Sequence, residues 1–297
     1  MAEPLARAPP RAERSRQSLP GGSPMASPPH NPVENHYASR SLVDVVLAAL
    51  DAAGLPSRLT AADLAPLDQF HARGLEATKE LAALAGIDAT SRVLDVGSGI
   101  GGPARYLAES LGCKVVGIDL TAEYCRLAEA LTARASVAGK VEFRTADALD
   151  LPFGDGEFDR VWTQHVAMNI ADRSRLYREM ARVLKPGGKL ALYDAVAIAG
   201  AEPLFPVPWA RDPSTSFLLD ADSTRAVLES SGFTVRVWRD VTPDARQWFA
   251  ALRPPAQPPK LSLHLLLGPD FRTMSRNFGR NVIEGRVGLL MAVCEKT

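Results

Sequence analysis

The chain has 297 residues, 46% of them hydrophobic, and its 34 Lys and Arg balance 34 Asp and Glu. That length suits one large α/β domain with an elaborated lid, and it buries a substantial core without staples. A net charge of zero removes the general electrostatic pull toward nucleic acid. Cys113, Cys125 and Cys294 form neither a disulfide framework nor a zinc pattern, the five histidines form no His-Glu-x-x-His cluster, and no apolar run reaches the ~18 residues a membrane span needs. The expectation is a cytoplasmic protein without metal, nucleic-acid partner or membrane insertion.

Residues 1–32 are rich in Pro, Arg, Ser and Ala without apolar periodicity, which predicts a disordered tail; Met25 is an alternative start. Residues 33–90 are expected to form a helical lid, with helices over Leu42–Ala53 and Leu75–Leu84. Residues 91–297 then read as strands alternating with helices. Strands are expected over Arg92–Val96, Lys114–Ile118, Val141–Arg144, Asp159–Thr163 and Leu190–Tyr193. Helices lie between them over Pro103–Leu111, Ala122–Val137 and Ser174–Leu184, the last stopped by Lys185-Pro186-Gly187-Gly188. Such alternation gives a mostly parallel, doubly wound sheet. A Pro-rich stretch near 197–220 and another near 253–285 are expected as lid insertions. Around them lie a helix (Ser223–Ser231), a strand (Thr234–Trp238), helical regions (Pro243–Leu252 and Leu261–Ile283) and a last strand (Val287–Cys294). No internal repeat is present, and nothing in the sequence sets an oligomeric state.

The loop Asp95-Val96-Gly97-Ser98-Gly99-Ile100-Gly101-Gly102 joins the first strand to the first helix of the core. Gly97, Gly99 and Gly102 satisfy a dinucleotide Gly-x-Gly-x-x-Gly pattern, and Asp119 follows at ribose-binding distance, so an NAD(P)-linked oxidoreductase is a rival reading. Three features count against it. Asp95 sits at the strand end, where a carboxylate suits an ammonium and repels a pyrophosphate. Asp147, in Ala146-Asp147-Ala148 after the third strand, offers an acid to an adenine amine. The loop also comes late, after some 60 residues of helical sequence.

These motifs, with Gly117-Ile118-Asp119-Leu120 and Leu184-Lys185-Pro186-Gly187-Gly188, resemble the class I S-adenosylmethionine (SAM)-dependent methyltransferases of small molecules. The resemblance implies a Rossmann-like sheet of seven strands, the last antiparallel, with SAM as co-substrate. It implies Gly97 and Gly99 under the methionine portion, Asp119 and Leu120 at the ribose, and Asp147 and Ala148 at the adenine. Gly74-Leu75-Glu76-Ala77-Thr78-Lys79 is further similar to a segment of phosphoethanolamine methyltransferases, which implies that Phe70, His71 and Tyr37 touch the cofactor. That family's acid and histidine after the fourth strand are here His165 and Asn169, so its catalytic pair does not carry over.

In this fold the position after the fourth strand faces the transferred methyl group. His165 stands there as a candidate base, an acceptor contact or a shaping residue, with Gln164 at the methionine end of SAM. Asn169, Trp209 and Arg211 are the candidate acceptor contacts. Arg211 has a surface alternative, pairing with Asp212 or Asp220. Trp162 reads as core, and Arg272, Arg276, Arg280 and Arg286 as a solvated helix face. The expected function is methyl transfer from SAM to a small-molecule S, N or O nucleophile; a non-catalytic SAM-binding protein is the other alternative.

Overall fold

The computed structural model describes residues 42–137, 139–253 and 259–297. The tail 1–32 and Tyr37 lie outside the described residues.

Three helices precede the sheet: α1 (Leu42–Ala53), α2 (Ala61–Asp68) and α3 (Gly74–Ala85). The core follows as β1 (Arg92–Val96), α4 (Gly102–Leu111), β2 (Lys114–Asp119), α5 (Ala122–Ala133), β3 (Val141–Thr145), β4 (Phe158–Gln164), α6 (Arg173–Val183) and β5 (Leu184–Ala197). The chain closes with α7 (Ala221–Ser230), β6 (Phe233–Asp240), α8 (Thr242–Ala251), the short α9 (His264–Leu267), α10 (Phe271–Ile283) and β7 (Val287–Lys296). The seven strands run in the order β3-β2-β1-β4-β5-β7-β6, with β7 antiparallel to both neighbours.

Both faces of the sheet are covered, so the inner strands read as nearly continuous apolar runs. Alternate side chains enter opposite layers. Val93, Val115 and Trp162 pack with Leu81 of α3 and Leu107 of α4, while Leu94, Val116 and Val161 pack with Leu176 and Met180 of α6. A third cluster joins Val46 of α1 and Leu64 of α2 to Leu127 of α5 and Met274 of α10, seating the N-terminal helices beside the core.

Sequence periodicity misses α2, because Pro66 interrupts it. Thr60 and Asp63 nevertheless form a reciprocal capping box at its start. Helix α5 ends at Ala133, short of the expected Val137, where the Leu59 N–H takes the Arg134 carbonyl at 2.8 Å. The helical region expected over Leu261–Ile283 is divided at Gly268-Pro269, with Gly268 at φ +69°. Strand β5 begins at Leu184, so Lys185–Gly188 belong to an irregular strand start and not to a turn beyond the helix.

Candidate functional site

Strand order reverses between β1 and β4, and the loops leaving their carboxyl ends open a crevice there, where ligands of such sheets bind. A cavity of about 470 Å³ occupies it. Seven of the sequence candidates are on its wall: Gly97, Asp119, Leu120, Asp147, Ala148, His165 and Asn169.

The loop after β1 is held from β2. The N–H groups of Gly97 and Ser98 both donate to the Ile118 carbonyl at 2.8 Å. One Asp119 oxygen accepts from the Gly99 N–H and the other from the Thr121 N–H, each at 2.9 Å. Gly97 (φ +74°) is required twice over, since a β-carbon there would also collide with the Val166 side chain. A side chain at Gly102 would run into the Asp68 carbonyl, so α2 lies directly on the loop. Burial pushes the Asp119 carboxyl up, opposed by those N–H groups. Asp147 is exposed, with one oxygen accepting from the Leu149 N–H at 2.8 Å.

Asp95 is 2% exposed and one of its oxygens has no partner. Burial first, and then the Asp119 charge, push its carboxyl up to about 8. Gln164 is fixed in orientation: its Oε1 accepts from the Trp162 indole N–H at 3.1 Å, leaving its buried amide nitrogen unpaired. The Ser98 hydroxyl is likewise buried and unpaired. An unpaired carboxylate oxygen, a hydroxyl and an amide donor in and beside the glycine loop fit an amino-acid moiety, as SAM carries, because each lacks a partner of that kind.

His165 stands at the crossing of β4 and β5. Its backbone is left-handed, with φ +54°, and its N–H donates to the Tyr193 carbonyl at 2.8 Å. The buried Asp194 carboxylate accepts from the Ala167 N–H at 3.0 Å, holding the turn that follows. His165 is on the cavity wall, while its Nε2 is buried without a partner. Burial and then His71 hold the imidazole well below its usual range, so it is neutral at pH 7. His71, off the cavity wall, is brought down to about 4 by burial and packs 6.0 Å from His165, ring to ring. His165 and Arg73 (φ +63°) are the described non-glycine residues with positive φ.

The remaining candidates fall elsewhere. Phe70 packs against the third apolar cluster, off the cavity wall. Asn169 spends its amide hydrogens on the Trp209 and Thr215 carbonyls, at 2.8 and 3.0 Å, and so pins the 197–220 insertion to the β4 turn. Trp209 is 2% exposed, against Phe278. Arg211 is on the surface, paired at 2.7 Å with Asp270. Asp212 and Asp220 are not its partners because both already cap helical turns, at Ser214 and Ser223. Trp162 is core, and Arg280 and Arg286 share Glu284 on the surface.

Sequence reading missed a buried ion pair, Asp68–Arg105 at 2.8 Å, which ties α2 to α4 next to the loop. It missed Thr78, whose hydroxyl donates to Gln69 at 2.7 Å, and it missed Asp194. Asp194 left a signal as the lone charge among residues 190–197 of β5, and Thr78 stands within the Gly74–Lys79 motif without its role being read.

A family profile described as "Methyltransferase domain" matches residues 94–192. Methyltransferase GfsG of Streptomyces halstedii is 32% identical over 200 residues, covering 65% of this chain and 70% of that protein. The chain belongs to the SAM-dependent methyltransferases. The enzyme is also 43% identical over 101 residues to the chloroplastic tocopherol O-methyltransferase of Arabidopsis thaliana, spanning 34% of this chain and 29% of that one. In fold it is similar to phosphoethanolamine N-methyltransferase 2 of Haemonchus contortus, with a TM-score of 0.62 and 18% identity over 80% of this chain and 57% of that one. SAM is therefore the co-substrate of this methyltransferase, and the NAD(P) reading falls. Among the described residues no three His, Cys, Asp or Glu side chains group to hold a metal, and no helix is long and apolar enough to cross a membrane.

Proposed function

We propose that the enzyme methylates an uncharged small molecule, with an oxygen nucleophile favoured among S, N and O, and that His165 marks the methyl end of the SAM site. One observation carries this: Asp119, Asp147 and His165 line a single cavity together with Gly97 of the glycine loop. The O-methyltransferase activity of the tocopherol relative supports oxygen.

SAM supplies a methyl group on a sulfonium, with a neutral thioether as leaving group. Asp119 accepts from the ribose hydroxyls with the lone pairs its two N–H bonds leave free. The free oxygen of Asp147 takes the adenine amine. Asp95 faces the ammonium, and the Gln164 amide donates to the carboxylate. The chain's main contribution is alignment, worth up to ~7–11 kcal/mol in favourable systems. His165 accepts the proton that the nucleophile sheds. Residues 33–90 and the insertions near 197–220 and 253–285 act as the lids over cofactor and acceptor.

The test is S-adenosylhomocysteine release from SAM with a panel of small alcohols, phenols, thiols and amines, with SAM affinity measured in the same sample. Release that depends on a hydroxyl acceptor supports the reading. Tight SAM binding with release for none of them turns the protein into a SAM-binding module.

A further inference from the structure

Asp119 bridges two parts of the cavity wall. One carboxylate oxygen holds the Gly99 N–H of the glycine loop, and the other holds the Thr121 N–H just ahead of α5. A second bridge, off the wall, joins the same loop to the same helix through Arg105 of α4. Its Nη2 donates at 2.6 Å to the carbonyl of Ile100, the residue after Gly99. Its Nη1 donates to Thr132 Oγ1 at 3.1 Å and to the Ala128 carbonyl at 3.3 Å, both in α5. The Asp68 carboxylate, at the end of α2, accepts from Nη2 at 2.8 Å. The guanidinium also packs on the loop itself, since a β-carbon at Gly101 would collide with Nη1.

Arg105 is 1% exposed and Asp68 3%. Intact, such a buried ion pair is a poor stabiliser, because desolvating both charges offsets their attraction, and apolar side chains of similar volume often do as well or better. Apolar side chains cannot, however, satisfy four acceptors drawn from the loop, α5 and α2 at once. A planar guanidinium does so in a fixed fork. The first half of the glycine loop has its own anchor on β2, at Ile118. Ile100, in the second half, takes its side-chain anchor from Arg105.

We propose that Arg105 is a positioning residue for SAM: it sets the separation between the glycine loop and α5, and Asp68 fixes the guanidinium in the orientation that does so. The proposal rests on the placement of the ribose at Asp119 given above. With the fork in place, Gly99 and Thr121 reach Asp119 together and hold its carboxylate at the cavity wall. Without it Ile100 is released, the Gly99 bond next to it slackens, and Asp119 follows α5 alone. The same pair seats α2, whose Asp68 carbonyl lies where a side chain at Gly102 would have to go. Arg105 touches neither cofactor nor acceptor in this account and acts through Ile100 and Asp119.

The test measures SAM affinity by calorimetry on the full-length protein, with urea unfolding and amide exchange of each variant. Arg105→Met combined with Asp68→Leu removes the fork without leaving a buried charge. Its stability is expected close to wild type and its SAM affinity roughly tenfold weaker, as buried hydrogen bonds at the loop are lost. Exchange over residues 97–101 without ligand should quicken roughly tenfold, with β5 and β7 unchanged. Thr132→Val keeps the ion pair and the side-chain volume, and is expected to weaken SAM about threefold. A purely structural pair would move stability and leave affinity and loop exchange alone. Wild-type SAM affinity in the double variant and in Thr132→Val, with Asp119→Ala weakened, overturns the positioning role and leaves the ribose placement standing. Wild-type affinity in Asp119→Ala as well removes that placement, and the positioning role falls with it. Should the double variant fail to fold, Thr132→Val decides on the same readouts.

Discussion

The two ends of the cavity are built differently. At the β1–β3 end, the cofactor loop is fixed by bonds between residues close in sequence or on adjacent strands: Gly97 and Ser98 to Ile118, Gly99 and Thr121 to Asp119, Leu149 to Asp147. At the β4–β5 end, His165 is surrounded by His71, Tyr193, Trp209 and Phe278, gathered from more than 200 residues of chain. The first end is a backbone cradle with acids on its rim. The second is a cluster of buried side chains packed around His165. On the proposed function, a common cofactor and a particular acceptor would explain the division: one end must repeat the same hydrogen bonds, and the other must only fit one molecule.

Substitutions at each end should therefore separate binding from turnover. The largest effect is expected at His165: His165→Ala should cut turnover ~10²–10⁴-fold, the usual worth of a positioned base, with SAM affinity near normal. Retained turnover in a steady-state assay would reduce the residue to scaffolding. Next, Arg105→Met should destabilise the fold by ~3–5 kcal/mol, because Asp68 is left charged and buried. Urea unfolding measures this, and a double change with Asp68→Leu should recover most of the loss. Asp119→Ala should weaken SAM binding roughly 100-fold, as charged hydrogen bonds of ~1.5–3 kcal/mol are lost. Circular dichroism should show the sheet intact, and calorimetry reads the affinity.

Asp95 gives a pH signature at the cofactor end. Its carboxyl is raised from 3.8 to about 8 in the SAM-free protein, so the folded state binds more protons than the unfolded state between those values. Its contribution to stability is therefore full below pH ~4 and is lost as pH rises toward 8. Thermal melts of wild type and Asp95→Asn across that range should diverge, with the variant relatively more stable at the alkaline end and weaker in SAM binding throughout. Parallel curves would show that Asp95 is ionised in the free protein. The smallest effect belongs to Arg211→Ala: loss of an exposed ion pair with Asp270 should change stability by less than ~1 kcal/mol and leave turnover alone.

The same division explains how far the sequence could be read. Strand positions were legible, because β1 and β2 are apolar runs, and so was the presence of Gly97, Asp119 and Asp147 at one cavity, because they occur at fixed offsets from the strands. Helix α2 was hidden by Pro66, and the break in the last helical region by overall apolar content. At the acceptor end, His165 could be placed because it follows a strand, whereas Phe278 could not, since its contact with His165 spans over 100 residues. Arg211 looked like a ligand contact only while Asp270, 59 residues away, was unknown as its partner.

A crystal structure with S-adenosylhomocysteine bound tests the account most directly. The prediction is adenine at Asp147, ribose on Asp119, and the thioether sulfur at the His165 end of the cavity. A nucleoside lying the other way, or a sulfur remote from His165, would contradict both the cofactor orientation and the role of His165.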